Sequence, residues 1–239
     1  MTPIMSIAGL GGPQPSFAKG GGSGEASFSL KYYMHGDEIG TWRMYWSDGD
    51  YGTGTLTPLE FNEPSDGGDG YFLAGEKQTS ASQSWRSATV DLTQFWGTSG
   101  RLVLLYLKTS TGWKGDVAWD TASLTINGVS TDYSVGSTTS QWKCTDPGQT
   151  YSGSLVTTMA AWTSGSSGTG GQTPTTSDTD RPLVLRSGPV SSGSGNTGPA
   201  QGDGGSGYYM YIETSNRASI DMYNSSRYCW SYTTEITLA

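Results

Sequence analysis

The residues that most often carry acid–base and nucleophilic chemistry are few in this chain. His35 is its single histidine, so a Ser-His-Asp triad would need this one residue as its base. The sequence contains no HExxH, CxxC or GxSxG motif, and these are the usual signatures of zinc peptidases, thiol redox proteins and serine hydrolases. We therefore expect that the chain is not an enzyme.

Paired carboxylates are the other common catalytic arrangement, because glycosidases use two acids held at a fixed separation. Glu60 and Glu63 lie in a Pro-bounded loop, and no ExDxxE strand motif places two carboxylates on one sheet face. The segment Asp66-Gly67-Gly68-Asp69-Gly70 offers oxygen ligands for calcium, but this composition is more typical of a simple turn. The acids therefore do not predict a glycosidase.

The aromatic side chains have two readings, since a tryptophan can stack on a sugar ring or fill a core. Apolar residues make up only 33% of the chain, so most of its nine tryptophans and fourteen tyrosines are needed for a core. Trp96 and Trp113 each lie beside a glycine in a predicted loop. We therefore take these two as the candidate ligand-binding residues, with host-surface glycans as the candidate ligands.

The two cysteines, Cys144 and Cys229, either form one disulfide bridge or remain free thiols, and the sequence leaves both open. The formal net charge is −8, and the thirteen Lys and Arg residues form no basic run, which argues against a nucleic-acid partner. No stretch approaches 18 consecutive apolar residues, so a membrane partner is not expected either.

The composition predicts an all-β fold. Thirty-six glycines disfavour helices and favour short strands joined by turns. From Ala26 the apolar residues recur with a period of two, which predicts a strand with Phe28, Leu30, Tyr32 and Met34 on one face. Trp42, Met44 and Trp46 repeat the pattern after His35-Gly36-Asp37, and the two strands together predict a hairpin.

Further strands are predicted along the rest of the chain. Residues 102–107 are apolar on both faces, which predicts a central strand covered on each side. Asn127-Gly128 is the dipeptide most typical of a two-residue hairpin turn. The remaining predicted strands are residues 85–92, 117–119, 124–126, 208–214, 218–223, 228–232 and 235–238.

The first 25 residues differ in composition from the rest of the chain. They are rich in Gly and Pro, and Ile4, Ile7, Leu10 and Phe17 are spaced among them. We predict either a disordered tail or an extended arm in which these four residues dock into a partner subunit. Neither the basic nor the apolar region of an export signal is seen, which predicts a protein retained in the producing cell.

Several motifs between residues 27 and 126 resemble the MAM domain, named for meprin and receptor tyrosine phosphatases. Residues 27–36 with Ile39-Gly40-Thr41-Trp42 resemble its "LSFxYxMxGxxxGxL" signature, and residues 115–124 resemble its "GDIAIDDxSL" motif. The family motif has a second aspartate where this chain has Thr121, and the family's cysteines are missing from this half. The resemblance implies a lectin-like, jelly-roll β-sandwich.

The family order of motifs is reversed here, because residues 162–173, 194–199 and 207–214 resemble the opening "W..gsG.T.s.tGP…G.YlyvE.S". We therefore expect one circularly permuted jelly roll over residues 26–239, with long Gly/Ser/Thr-rich loops at about 163–207. The alternative is that each half pairs with strands of a neighbouring molecule to form a polymer. The resemblance also implies a structural calcium ion at Asp116, Asp120 and Glu213. The alternative is a hydrogen-bonded or surface pair of carboxylates without metal.

Together these features favour a virion structural protein of a tailed bacteriophage: a capsid decoration, fibre or tail-attached subunit. Its expected partners are other virion proteins, further copies of the same chain and host-surface glycans. Its expected location is the virion, assembled in the host cytoplasm. The alternative is a carbohydrate-binding or adhesion module that is extracellular or on a cell surface.

Overall fold

The structure is a computed structural model that describes residues 24–49, 55–62, 70–108, 110–135, 142–144, 149–150, 183–187, 197–205, 207–212, 214 and 227–239. For residues 142–144, 149–150, 183–187 and 227–230 it describes the backbone only. The candidate docking residues Ile4, Ile7, Leu10 and Phe17 therefore lie outside the described residues, as do most of the predicted loops at 163–207.

The described residues form two antiparallel β-sheets that pack against each other. The strands of the first sheet are β1 (Ala26–Met34), β4 (Phe61–Asn62), β6 (Arg86–Asp91), β8 (Val117–Ile126), β9 (Val129–Asp132), β12 (Leu183–Ser187) and β13 (Tyr208–Ile212). The strands of the second are β2 (Thr41–Ser47), β3 (Leu56–Pro58), β5 (Leu73–Ala74), β7 (Ser99–Lys108), β10 (Trp142–Cys144), β11 (Gln149–Thr150), β14 (Arg227–Thr233) and β15 (Ile236–Thr237). Two short 3-10 turns cover Thr93–Phe95 and Asp203–Gly205.

Both halves of the chain contribute strands to both sheets. The first sheet runs in the order β12, β13, β8, β1, β6, β4, and the second in the order β10, β14, β7, β2, β3. Strands β13 and β14 from the C-terminal half thus pair with β8 and β7 from the N-terminal half. The predicted all-β sandwich is confirmed, and its sheets are completed within one chain; the jelly-roll connectivity stays a prediction.

Large aromatic rings fill the space between the sheets. Trp42 of β2 lies 5.7 Å from Trp119 of β8 and 6.0 Å from Tyr32 of β1, measured between ring centroids, so rings from opposite sheets meet across the core. Trp46 stacks on Phe95 at 5.0 Å. All three tryptophans are buried, as expected for a chain with few aliphatic residues.

The predicted hairpin between β1 and β2 is wrong. β1 pairs with β6 and β8 in the first sheet, whereas β2 pairs with β3, β5 and β7 in the second. The connection at residues 35–40 crosses from one sheet to the other, with Gly36 at a φ of 135° that side chains rarely adopt. The two alternating apolar faces therefore face each other across the core, instead of lying side by side in one sheet.

The other two local predictions agree with the structure. β7 lies between β14 and β2 and is buried on both faces over residues 102–106, as predicted for a central strand. Asn127 and Gly128, at φ values of 49° and 80°, form the turn between β8 and β9. Positive φ at both turn positions is typical of the type I′ hairpin that Asn-Gly favours.

The last residues are held in the second sheet, as the predicted terminal strand implies. The Leu238 N–H donates to the Thr98 carbonyl over 2.9 Å, and the Leu238 side chain is fully buried. Within the described residues, no helix is long and apolar enough to cross a membrane.

Trp42 provides a test of how the core is stabilised. Its side chain is fully buried, and its indole Nε1 has no hydrogen-bond partner in the described part of the chain. We expect Trp42→Ala to lower the free energy of unfolding by about 3–5 kcal/mol, because a large ring is replaced by a cavity. Trp42→Phe should cost much less, since it keeps most of the ring and leaves no broken hydrogen bond. Urea unfolding of both variants measures this; equal losses would contradict it.

Candidate functional site

A second aromatic cluster lies on the face of the first sheet that points away from the core. Tyr33 of β1, Ala118 of β8 and Tyr209 and Tyr211 of β13 are buried there, and Trp85 packs against them half-exposed. The Trp85 ring lies 5.6 Å from Tyr33 and 5.8 Å from Tyr209, both in edge-on geometry. These residues alternate with core residues along the same strands, so one period-two pattern supplies both clusters.

A β-bulge in β8 directs two polar side chains toward this outer face. The register of β1 against β8 shifts between Leu30 and Tyr32, so Asp120 and Thr121 together stand opposite Lys31. The Asp203 N–H donates to Asp120 Oδ2 over 2.7 Å, and Thr121 Oγ1 donates to Asp203 Oδ2 over 2.8 Å. The bulge thereby anchors one end of the segment at residues 199–205, named here the 199–205 loop.

Other hydrogen bonds tie the 199–205 loop to the segment before β6. The Ala200 N–H donates to the Ala81 carbonyl, and Trp85 Nε1 donates to the Gln201 carbonyl, each over 3.1 Å. The Tyr33 hydroxyl donates to the Ser80 carbonyl beneath them. Burial raises the pKa of Tyr33 to about 12, so this hydroxyl keeps its proton at neutral pH.

A cavity of about 480 Å³ lies between these two segments. Lys31, residues 81–85 and the 199–205 loop line it. The lining is mostly polar and carries one cation and one anion, Lys31 and Asp203, together with serine hydroxyls and glutamine amides. The half-exposed Trp85 is its one aromatic side chain. The cavity volume is within the range of about 300–1,000 Å³ that is usual for small-ligand sites.

Asp116 is a buried carboxylate held by protein groups. Its Oδ1 accepts from the Thr214 N–H and lies 2.8 Å from Thr214 Oγ1, while its Oδ2 accepts from the hydroxyls of Thr197 and Tyr211. Both oxygens are therefore occupied by donors, which come from Thr197 and from residues 211–214. A carboxylate satisfied in this way is typical of a structural junction.

A buried lysine lies close to this junction. Lys108 is fully buried, and its Nζ donates to the Glu38 carbonyl over 3.3 Å. Desolvation lowers the pKa of Lys108, and the negative charges of Glu38 and Asp116 oppose that shift. The Tyr106 hydroxyl donates to the Gly115 carbonyl and accepts from the Gly40 N–H. Burial raises the pKa of this hydroxyl. Lys108 and Tyr106 of β7 thereby bind the carbonyls of Glu38 and Gly115, which lie in the connections before β2 and before β8.

The structure does not bring the three candidate calcium ligands together as one described cluster. Asp116 binds Thr197, Tyr211 and Thr214, whereas Asp120 binds the Asp203 backbone. Glu213 lies outside the described residues. Among the residues that are described, no three His, Cys, Asp or Glu side chains form a group that could hold a metal ion. The hydrogen-bonded alternative accounts for the observed contacts of both aspartates, and calcium stays a prediction.

The two candidate ligand-binding tryptophans differ in their surroundings. Trp96 is half-buried against the core, and its six-membered ring lies so close to Gly24 that a Cβ there would overlap it. Trp113 is half-buried, with Lys114 Nζ 5.4 Å from the centre of its ring. Neither lines the cavity, and ligand binding by them stays a prediction.

Cys144 lies on β10 and Cys229 on β14, two neighbouring strands of the second sheet. The backbone register pairs Cys144 with Ser231 and Cys229 with Tyr106, so the cysteines are not direct cross-strand partners. Their side chains lie outside the described residues. His35 Nε2 lies 3.6 Å from Glu76 Oε1 at the end of β1, and Glu76 Oε1 also accepts from the Gly36 N–H.

Sequence reasoning did not single out Trp85, Gln201 or Asp203 as site residues. Trp85 lies in a predicted strand, and residues 201 and 203 lie in a Gly/Ser-rich stretch that is predicted to be a loop. Trp85 and Gln201 are 116 residues apart. One feature of the sequence does point to this face of the sheet: Lys31 and Tyr33 are the longest side chains on the β1 face that points away from the core.

Tyr211 tests the Asp116 junction. Tyr211→Phe removes one hydroxyl that donates to a buried charged acceptor, so we expect the free energy of unfolding to fall by about 1.5–3 kcal/mol. Tyr208→Phe on the same strand is the matched control, because it removes the same hydroxyl from a partly buried ring that packs against the core. Urea unfolding measures both, and equal stability of the two variants would contradict the junction.

Asp120 is expected to make stability depend on pH. Burial raises the pKa of Asp120 from 3.8 to about 7, with a further upward contribution from the Asp203 charge. The folded state therefore binds the Asp120 proton more tightly than the unfolded state does. Protonation of Asp120 stabilises the fold at acid pH, and this stabilisation is lost as pH rises through about 7. One pKa unit corresponds to about 1.4 kcal/mol, so the loss is on the order of a few kcal/mol.

The variant Asp120→Asn isolates this effect, because an amide oxygen still accepts from the Asp203 N–H but does not titrate. Thermal unfolding midpoints at about pH 5 and about pH 8 should fall more steeply in the parent than in the variant. Parallel midpoints across that range would remove Asp120 as the titrating group.

The comparisons with known proteins identified no relative. No protein-family model, no curated protein and no solved structure matches the chain.

Proposed function

We propose that this chain is a non-enzymatic structural protein of a tailed-phage virion, working as a capsid decoration, fibre or tail-attached subunit. One observation carries the non-enzymatic part: the buried carboxylates are engaged in holding backbone segments. Asp116 joins three segments, and Asp120 anchors the 199–205 loop. Groups committed in this way support a passive scaffold.

The architecture suits a particle component. Strands from both halves share both sheets, and an aromatic core lies between them, so the sandwich opens only by breaking contacts from distant parts of the chain. The acidic net charge keeps such a module soluble and limits non-specific contact with encapsidated nucleic acid. The Gly- and Pro-rich residues 1–25 supply an arm for attachment to other virion proteins.

We also infer that the sandwich is a circularly permuted relative of the MAM domain. The first and last described strands meet at one turn: the Leu92 N–H donates to the Ala26 carbonyl over 2.8 Å, and the Gly97 N–H donates to the Leu238 carbonyl over 2.6 Å. Joining two ends that contact the same turn requires only a short connection. This proximity supports the permutation, since natural permutants arise where termini are close.

A carbohydrate-binding or adhesion module is the second candidate. The specific observation in its favour is the polar cavity beside Trp85, whose lining combines hydroxyl and amide groups with one aromatic ring. Such a module would act outside the cell, on a virion or on a cell surface. The two candidates share the fold and differ in what the arm attaches to.

Deletion of residues 2–23 tests the virion proposal. A segment this rich in Gly and Pro cannot form a core alone, so we expect the shortened chain to keep its thermal unfolding midpoint. Incorporation into particles, measured by immunoblot of gradient-purified virions, should fall to background because the arm supplies the attachment.

A full-length variant with Ile4, Ile7, Leu10 and Phe17 all changed to Ser is the matched control for chain length. It should lose incorporation as the deletion does, since the apolar side chains are the proposed contacts. Normal incorporation of both variants would remove the arm as the anchor. Absence of the parent chain from purified particles would overturn the virion proposal itself.

A further inference from the structure

We propose that the cavity beside Trp85 is a binding site for a neutral saccharide. This inference rests on the second function proposed above, carbohydrate binding, and assigns it a place and a ligand class. It does not depend on the arm or on attachment to a particle.

The walls of the cavity are fixed before any ligand arrives. The 199–205 loop is held at Asp203 by Asp120 and Thr121, at Ala200 by the Ala81 carbonyl, and at Gln201 by Trp85 Nε1. On the opposite wall, Gln83 Oε1 accepts from the Thr79 N–H over 2.6 Å, and Gln83 Nε2 donates to Thr79 Oγ1 over 3.2 Å. A preorganised site loses little conformational entropy on binding, which favours affinity for a small ligand.

The balance of charge in the lining selects a neutral ligand. Lys31 and Asp203 offset each other, and no second cation lines the cavity. A phosphate or sulfate would meet the Asp203 carboxylate, and an organic cation would meet the Lys31 ammonium. A ligand with many hydroxyl groups can instead donate to the carboxylate and accept from the ammonium.

The polar groups of the lining also argue against an apolar ligand. Serine hydroxyls at 82 and 84, the Gln201 amide and the glycine backbone of 202–205 would each lose water to an apolar surface without replacement. Hydroxyl groups of a sugar replace those hydrogen bonds. The half-exposed Trp85 gives the apolar side of a sugar ring a surface to pack on, and Tyr33 and Tyr209 pack edge-on against its indole.

Trp85 serves as the reporter for the experiment. The full-length chain is labelled with 15N, and its indole N–H resonances are followed by NMR during addition of glucose, galactose, mannose, N-acetylglucosamine and their short oligomers. The Trp85 resonance is assigned from its loss in Trp85→Phe. We expect at least one saccharide to shift the Trp85 resonance, with an affinity that changes little with salt because the ligand is uncharged.

Affinity for that saccharide is then compared across variants by titration calorimetry. We expect Trp85→Ala and Gln201→Ala each to weaken binding by at least about tenfold, equivalent to about 1.4 kcal/mol. Gln201→Ala keeps the backbone carbonyl that accepts from Trp85, so it reports on the site even if Trp85→Ala does not fold. Gln94→Ala, at an exposed glutamine that does not line the cavity, is the matched control and should bind as the parent does.

Three results would overturn the proposal: no saccharide shifts Trp85, Gln201→Ala binds with parental affinity, or Gln94→Ala abolishes binding. A shift of Trp85 by inorganic phosphate, without one by any saccharide, would instead identify an anion site. Incorporation of Gln201→Ala into particles is measured separately. Loss of saccharide binding with normal incorporation separates this site from the virion function, and each of the two can therefore fail alone.

Discussion

The packing of aromatic rings between two sheets is the constraint on which the rest of the molecule depends. A chain with only 33% apolar residues buries enough surface only by using large rings, and Trp42, Trp46 and Trp119 are all buried in the core. These rings come from both sheets, so neither sheet can bury its own face alone. The strands of the C-terminal half complete both sheets, with β13 beside β8 and β14 beside β7.

Local pattern was sufficient to predict most of the strands and insufficient to predict how they pair. The alternation in β1, the continuous apolar run in β7 and the Asn127-Gly128 turn each depend on neighbouring residues only, and all three agree with the structure. The β1–β2 hairpin failed because a hairpin and a crossover between sheets show the same alternation on either side of a short connection. The choice between them is made by burial, and β2 is buried on both faces along its whole length.

The candidate site was beyond prediction from sequence for a related reason. Asp120 and Asp203 are 83 residues apart, and they meet because a bulge in β8 directs Asp120 and Thr121 to the outer face. A regular strand would place those two side chains on opposite faces, and one of them would enter the aromatic core. The buried apolar residues change phase at the bulge, from 117 and 119 to 122 and 124, but such a shift is equally expected where one strand ends and another begins. The two strands predicted at residues 117–119 and 124–126 are one continuous strand, β8. The sequence did bring out Asp116 and Asp120 as notable acids, but not the donors that hold them.

Strand β8 contributes to both the core and the cavity, so the fold and the candidate site depend on each other. β8 contributes Trp119 to the core and Asp120 to the 199–205 loop, while Asp116 lies just before its first residue. A buried carboxylate costs stability unless donors satisfy it, so Asp116 and Asp120 each require their partner segments in place. Those segments are the 199–205 loop, Thr197, and Tyr211 of β13. Folding of the sandwich therefore assembles one wall of the cavity, since the hydrogen bond from the Asp203 N–H both anchors that wall and satisfies the buried Asp120.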